Sequence, residues 1–112
     1  MKCIETVIRP IKLDQVKLAL DGIGVAGLTV SDVVGFGGAE SDYSTRRSGD
    51  FLLDLSPGIK LEMIVSDGMV EEIIETIVRH AYTGEPGDGV IFVLPADDAI
   101  RIRTGERGDE VL

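Results

Sequence analysis

Apolar residues recur along the chain with two different periods, and the change of period predicts where strands and helices lie. Residues 2–9 mix β-branched and apolar side chains and stop at Pro10, which predicts a first strand. Residues 12–23 then carry apolar side chains at helical spacing, and glycines follow at the end of the run. The chain therefore opens with a strand and a helix.

The remaining elements follow from the same patterns. Residues 27–36 and 59–65 alternate as strands do, and the first of them is expected to be half-buried on both faces. Residues 67–81 carry one apolar stripe, with acids in the first turns and bases in the last, and predict the clearest helix. Short strands are predicted over residues 90–94 and 100–103, and residues 104–112 are read as a polar tail.

This order repeats a strand-helix-strand unit twice within 112 residues, a length that predicts one domain over residues 1–112. The pattern predicts an α+β fold, the ferredoxin-like double βαβ sandwich, with both helices on one face of an antiparallel sheet. The other face would stay bare, and a second subunit is the simplest cover for it. We therefore expect an oligomer.

A long connection interrupts this minimal plan. Twenty-two residues, 37–58, separate Phe36 from Ile59, where a hairpin turn would suffice. Loops of this length are uncommon and usually functional, so we expect residues 37–58 to protrude and to contact a partner. The candidate contact residues are Tyr43, Arg46, Arg47 and Phe51.

Charge and cysteine content narrow the function. The net charge is −9, which disfavours nucleic acid and anionic membranes as partners. No apolar run is long enough to cross a bilayer, and the single Cys3 fits a reducing compartment, so we expect a cytoplasmic protein. No spacing of acids, histidine or cysteine suggests a metal site.

Two motifs carry a family resemblance. Residues 83–89 read TGEPGDG before a strand, and residues 100–108 read IRIRTGERG. Together with Arg9-Pro10 near the start, they resemble the PII signal-transduction proteins from end to end. The resemblance implies a regulator and not an enzyme: a cytoplasmic homotrimer that binds ATP or ADP in the clefts between subunits. Its long loop would control a target protein such as a transporter or a metabolic enzyme, and membrane contact would occur only through a membrane-protein target.

The resemblance also assigns candidate nucleotide-binding residues. Gly87, Asp88 and Gly89 match the phosphate-side loop, whose backbone N–H groups can converge on an anion. Arg101 and Arg103 match phosphate ligands, and their two-residue spacing in an extended segment would place both on one face. Without the resemblance, a surface ion pair with Glu106 would be the simpler interpretation. The remaining candidates are Thr29 at the adenine end, Ile64 beside the base, Glu62 as a possible partner at the phosphate end, and Gly37 and Gly38.

Several positions depart from the family pattern. Gly38, Gly58 and Val90 each stand where the family has a cation, and Ala39 stands where it has the Gln that helps to hold magnesium. We therefore expect ADP or AMP to lose less affinity than ATP, magnesium binding to be doubtful, and 2-oxoglutarate sensing to be lost. Phe51 replaces the tyrosine that many bacterial members have uridylylated, so modification at that position is not expected.

Other functions stay open from the sequence. One is a trimeric interaction module without a small ligand, and another is a sensor of a different small anion such as bicarbonate. A small phosphate-handling enzyme with Glu62 as base is the weakest, because no nucleophile and base can be paired.

Overall fold

A computed structural model describes residues 1–35 and 56–112 of the chain. The strands are β1 (Lys2–Ile8), β2 (Thr29–Gly35), β3 (Ser56–Val65) and β4 (Ile91–Pro95), and the helices are α1 (Leu13–Gly22) and α2 (Val70–Ala81). Short 3₁₀ turns precede both helices, at Pro10–Lys12 and Asp67–Met69, and a third spans Gly108–Val111. The predicted order of the first four strands and the two helices is confirmed.

The four strands form one antiparallel sheet in the order β2-β3-β1-β4. Each half of the chain contributes one outer and one central strand, which is the ferredoxin-like arrangement expected from the sequence. Ile4 of β1 lies opposite Met63 of β3 and Val93 of β4, and this register sets which side chains share a face.

Both helices pack on one face of the sheet and bury the core there. Ile4 and Leu61 from the central strands and Val16, Leu20 and Ile73 from the helices are fully buried. Thr76 also lies inward, and its hydroxyl donates to the carbonyl oxygen of Glu72 one turn earlier. In α2, acids occupy the first turn and Arg79 and His80 the last, as predicted.

The opposite face of the sheet, called here the open face, is covered by none of the residues that the structure describes. Its apolar residues are Val7, Ile64, Phe92 and Leu94, which are 37–58% exposed. At its centre the Lys60 Nζ lies 2.8 Å from the Glu5 carboxylate. This hydrogen bond and ion pair raise the pKa of Lys60. The open face is therefore apolar around a paired charge, which suits contact with another protein surface.

Two expectations from the sequence are wrong. Residues 27–36 are not half-buried on both faces: β2 is an edge strand, and six of its seven residues are exposed, with Val33 alone half-buried. Residues 100–103 do not form a strand either. Ile100 makes an isolated bridge to Arg107, and residues 102–104 form a turn that Gly105 closes at φ +77°.

Among the described residues, no helix is long and apolar enough to cross a membrane.

Candidate functional site

The loop that joins α2 to β4, residues 82–90, is called here the glycine-rich loop. Gly84, Gly87 and Gly89 have φ of +89°, +101° and +102°, a region that side chains rarely adopt. At Gly89 a Cβ would also overlap the carbonyl oxygen of Val7 in β1. Close approach of the loop to the sheet therefore requires glycine at position 89.

Asp88 organises this loop through its carboxylate. Its oxygens accept hydrogen bonds from the backbone N–H of Thr83 at 2.8 Å and of Gly84 at 3.0 Å, and from the Thr83 hydroxyl. Arg9 Nε donates a further bond at 3.0 Å. The bonds from Thr83, followed by those from Arg9 and Gly84, hold the pKa of Asp88 well below its usual range. The hydrogen-bonding capacity of the Asp88 carboxylate is thus used within the protein. Its side chain faces the loop interior and is 18% exposed.

The backbone of the same loop keeps unused donors. Among the described residues, no acceptor is paired with the N–H groups of Gly87, Asp88 and Gly89. Consecutive unpaired N–H groups in a turn with positive φ can converge on an anion. The structure therefore supports the loop as a cradle formed by backbone, with the Asp88 side chain as its internal brace.

A second group of candidate residues lies on the open face. Four residues form one row across the four strands of the sheet, in the order Thr29 (β2), Glu62 (β3), Glu5 (β1) and Phe92 (β4). Ile64 is two residues further along β3 on the same face and is 37% exposed. The sheet therefore brings Thr29 and Ile64, the two predicted adenine contacts, together, and Glu62, predicted as a partner at the phosphate end, lies beside them.

One chain does not bring the two groups together. Thr29 is on the outer strand β2, whereas the glycine-rich loop enters the opposite outer strand, β4. Three strand spacings separate these edges, roughly 14 Å. The two groups can be neighbours only if one edge of a chain meets the other edge of a second chain.

The two C-terminal arginines lie in a segment that folds on itself, residues 96–112, called here the C-terminal segment. Arg101 Nε is 3.7 Å from the Glu106 carboxylate, and its Nη2 is 3.5 Å from the Glu110 carbonyl oxygen. Arg103 is exposed. Because residues 102–104 turn, the expected alternation that would align the two arginines is absent. Both guanidinium groups are held loosely and stay accessible.

The remaining predicted positions divide into two sets. Gly37, Gly38, Tyr43, Arg46, Arg47 and Phe51 lie outside the described residues. Gly58 is in β3, where a Cβ would lie 2.7 Å from Cγ1 of Val7. Val90, which replaces a family cation, is 56% exposed. Position 90, where the family has a cation, is thus occupied by an apolar side chain that is exposed to solvent.

Behind the glycine-rich loop, between α2 and the strands β1 and β4, lies a cavity of about 620 Å³. Ile74 and Val78 of α2 line it together with Ile8 and Ile91. These helix residues belong to the apolar stripe predicted for α2, but Val78 remains 53% exposed. The loop residues Glu85 and Asp88 also line the cavity, and aliphatic groups combined with two carboxylates do not suit phosphate.

Sequence reasoning assigned no role to Arg9 or Thr83. Both residues belong to the motifs that carry the family resemblance. Arg9 is separated from its partner Asp88 by 79 positions in the chain. One feature of the sequence could have identified Arg9: it stands between the end of a predicted strand and Pro10. Proline restricts the backbone of the residue before it, and the arginine side chain is long enough to reach a neighbouring loop. Nothing in local periodicity identifies its partner.

No metal centre is built by the described part of the chain, which lacks any cluster of three or more His, Cys, Asp or Glu residues able to hold an ion. Burial, followed by the charges of Glu62 and Glu5, raises the pKa of the Cys3 thiol. Cys3 is therefore poorly suited to act as a nucleophile.

Comparison with known proteins defines the class. A family model described as nitrogen regulatory protein P-II matches residues 1–106. The chain is 46% identical to the nitrogen regulatory protein P-II of Rhodospirillum rubrum, 45% to that of Cereibacter sphaeroides and 43% to that of Azospirillum brasilense. Each match covers 100% of both chains.

These matches identify a regulatory protein with a ferredoxin-like fold. The chain belongs to the nitrogen regulatory protein P-II family. The resemblance found in the two motifs is confirmed, and so is the prediction of a signal-transduction regulator and not an enzyme.

Proposed function

We propose that this protein is a P-II regulator that binds an adenine nucleotide between subunits and controls a partner protein through its long loop. The observation that carries the proposal is the glycine-rich loop: three consecutive N–H groups without partners among the described residues, held by an internally satisfied Asp88. P-II proteins as a family bind adenine nucleotides, and this loop is suited to the phosphates.

The site is completed by a second chain. Thr29 and Ile64 supply a surface for the base at one edge of the sheet, with Glu62 beside them as a partner toward the phosphate end, and the loop supplies N–H donors at the other edge. Arg101 and Arg103 add charge to the phosphates after a small movement of loosely held side chains. Gly37 and Gly38 contribute from the start of the long loop.

A homotrimer accounts for the open face. Val7, Ile64, Phe92 and Leu94 would leave water together, and the Lys60–Glu5 pair would enter the contact already neutralised. Light scattering on the purified protein should give three times the mass of one chain. A monodisperse monomer would contradict both the trimer and the site between subunits.

The choice of nucleotide follows from the replaced cations. Gly38, Gly58 and Val90 remove three positive charges, and each charge-assisted contact to phosphate is worth about 1.5–3 kcal/mol. ATP carries the most phosphates and depends most on such contacts, so the loss of affinity should be smaller for ADP and AMP than for ATP. Magnesium should increase the affinity little, because the Gln is missing at position 39. Calorimetric titration of ADP, AMP and ATP, each with and without magnesium, tests this order.

Two alternatives are outcomes of the same titrations. Absence of heat with all three nucleotides, in a protein that is trimeric, would favour an interaction module without a small ligand. Binding of bicarbonate in place of nucleotides would favour a sensor of a smaller anion, which the unpaired N–H groups could also accept.

Control of the partner is assigned to the long loop predicted over residues 37–58, of which residues 56–58 belong to β3, with Tyr43, Arg46, Arg47 and Phe51 as contacts. A transporter or a metabolic enzyme in the cytoplasm is the expected target, whereas the net charge of −9 disfavours nucleic acid. Contact with a membrane would then occur only through a membrane-protein target. Replacement of Tyr43, Arg46 and Arg47 by Ala should abolish binding of such a target and leave nucleotide affinity unchanged.

A further inference from the structure

Arg9 connects the body of the sheet to the tip of the glycine-rich loop. Its Nε donates to Asp88 Oδ1 at 3.0 Å, and its Nη2 donates to the carbonyl oxygen of Pro86 at 2.8 Å. A longer contact from Nη2 reaches the carbonyl oxygen of Glu85 at 3.5 Å. One guanidinium therefore contacts two sides of the same turn.

The origin of this side chain is rigid. Arg9 follows the last residue of β1 and precedes the 3₁₀ turn Pro10–Lys12, where its carbonyl oxygen accepts the N–H of Lys12 at 2.9 Å. Pro10 also restricts the backbone of the residue before it, and Arg9 has an extended conformation with ψ 138°. A fixed backbone means that the guanidinium imposes a position on the loop.

Arg9 also lies directly behind Gly87. A Cβ added at Gly87 would be 3.3 Å from Arg9 Nη2, so the guanidinium packs against the turn whose N–H groups have no partner among the described residues. At the end of the loop, the Thr6 hydroxyl donates to the Val90 carbonyl oxygen at 2.9 Å and Gly89 approaches Val7 closely. In the described part of the chain, Arg9 is the side chain from outside the loop that bonds to residues 85–88.

We propose that Arg9 is a positioning residue that holds residues 84–89 in the conformation that presents the N–H groups of Gly87, Asp88 and Gly89 to a nucleotide. This inference rests on the proposed nucleotide site. Arg9 itself does not contact the ligand, because its donors are directed to Asp88 and to the carbonyl oxygens of the turn. It acts by geometry and by neutralising Asp88, whose charge would otherwise repel phosphate.

The planar fork of arginine is what the geometry uses. Lysine would keep the positive charge but can reach either the carboxylate or the Pro86 carbonyl oxygen, and not hold both in fixed directions. Arg9→Lys therefore separates positioning from charge. Arg79→Lys is the matched control, because Arg79 is an exposed arginine on α2.

The first measurement needs no ligand. Backbone ¹⁵N order parameters of Gly84, Gly87 and Gly89 should be near the rigid value of about 0.85 in the wild type and fall toward about 0.6 in Arg9→Lys. Arg79→Lys should not change them. Equal order parameters in the wild type and Arg9→Lys would overturn the inference, whatever the protein binds.

The second measurement is calorimetric titration of ADP. Arg9→Lys should weaken ADP about tenfold or more, and Arg9→Met should weaken it further because Asp88 then stays unpaired. Asp88→Asn in the Arg9→Met background should recover part of that additional loss. If the wild type binds ADP and Arg9→Lys binds it equally well, Arg9 has no positioning role and the nucleotide site stands. If the wild type itself fails to bind ADP, the proposed function fails, and the positioning of the loop for nucleotide fails with it.

Discussion

The glycine-rich loop and the C-terminal segment both carry candidate phosphate ligands, but they are held in opposite ways. The loop is tied to the sheet by side chains far away in sequence, Arg9 to Asp88 and Thr6 to the carbonyl oxygen of Val90. The C-terminal segment is held largely by itself. Arg107 pairs with Asp98 at 2.7 Å and Gly108 N–H donates to Ala99, both within the segment.

The consequence concerns what each region has ready before a ligand arrives. Loop donors are backbone N–H groups whose positions are fixed by tertiary contacts within one chain, so the proposed cradle does not depend on a second chain for its shape. The arginine donors are exposed side chains, and those of Arg101 lie 3.5–3.7 Å from their partners, which is long for a hydrogen bond. Ile102 between them is a large apolar side chain that is fully exposed in a single chain. Changes in the loop should therefore affect folding, and changes in the arginines should affect binding.

Gly89→Ala should have the largest effect. Alanine at φ +102° costs about 1–2 kcal/mol, and overlap of its Cβ with the Val7 carbonyl oxygen adds about 1–3 kcal/mol. Gly105→Ala in the C-terminal segment is the control, because φ there is +77° but no atom lies within 4 Å of the added Cβ. Urea unfolding should show the larger loss of stability for Gly89→Ala. Equal losses would mean that the loop is no more tightly held than the segment.

Replacement of both Arg101 and Arg103 by Ala should show the reverse behaviour. The exposed ion pair of Arg101 contributes at most about 1 kcal/mol, so thermal stability should change little. ADP affinity should fall, by about 1.5–3 kcal/mol for each arginine that contacts phosphate. Arg79→Ala, which removes one positive charge from α2, should leave affinity unchanged. Unaltered ADP affinity in the double variant would remove the C-terminal segment from the site.

Asp88→Asn should produce a smaller, pH-dependent effect. The pKa of Asp88 is lowered in the folded protein, so its carboxylate stabilises the fold above the ordinary carboxyl pKa of about 4, and this stabilisation is lost as the pH falls below that value. The melting temperature of Asp88→Asn should therefore be lower than that of the wild type at pH 7, with the difference narrowing by pH 3. Asp97→Asn, at an exposed aspartate in the C-terminal segment, is the control. A difference that stays constant from pH 7 to pH 3 would show that the ionised carboxylate does not brace the loop.

Periodicity predicted the sheet and the helices because those elements repeat a burial pattern that the core enforces. Val16 and Leu20 are spaced by one helical turn, and both are fully buried. The same reasoning failed where tertiary context decides. Residues 100–103 alternate like a strand, yet no strand in the described part of the chain pairs with them, and Gly105 at φ +77° turns the chain back.

The candidate site was predictable only as far as motifs reach. The glycines of residues 83–89 identify a tight turn from composition alone, because positive φ favours glycine. That Asp88 would bond inward to Arg9 and Thr83, and not outward to a ligand, depends on a contact across 79 positions. No spacing rule in a single sequence encodes that contact.

The smallest expected signal is that of 2-oxoglutarate. The family pattern uses a Gln at position 39 and a Lys at position 58 for magnesium and this dicarboxylate, and the chain has Ala39 and Gly58. The structure adds a reason why a Gly58→Lys substitution alone would not restore the family's lysine to its usual role. In β3 a Cβ on Gly58 would lie 2.7 Å from Val7 Cγ1, so the side chain of Val7 must move before any lysine fits.

We therefore expect no heat above dilution when 2-oxoglutarate is titrated into protein saturated with ADP or with ATP and magnesium. Gly58→Lys alone should not create binding, whereas Gly58→Lys with Val7→Ala and Ala39→Gln restores both the space and the ligands. Lysine at position 58 would also add a cation next to Lys60, whose charge is already paired with Glu5. Micromolar binding by the wild type would show that other residues replace the missing Gln and Lys. The long loop predicted over residues 37–58 would then respond to 2-oxoglutarate, as the family pattern implies, despite these two substitutions.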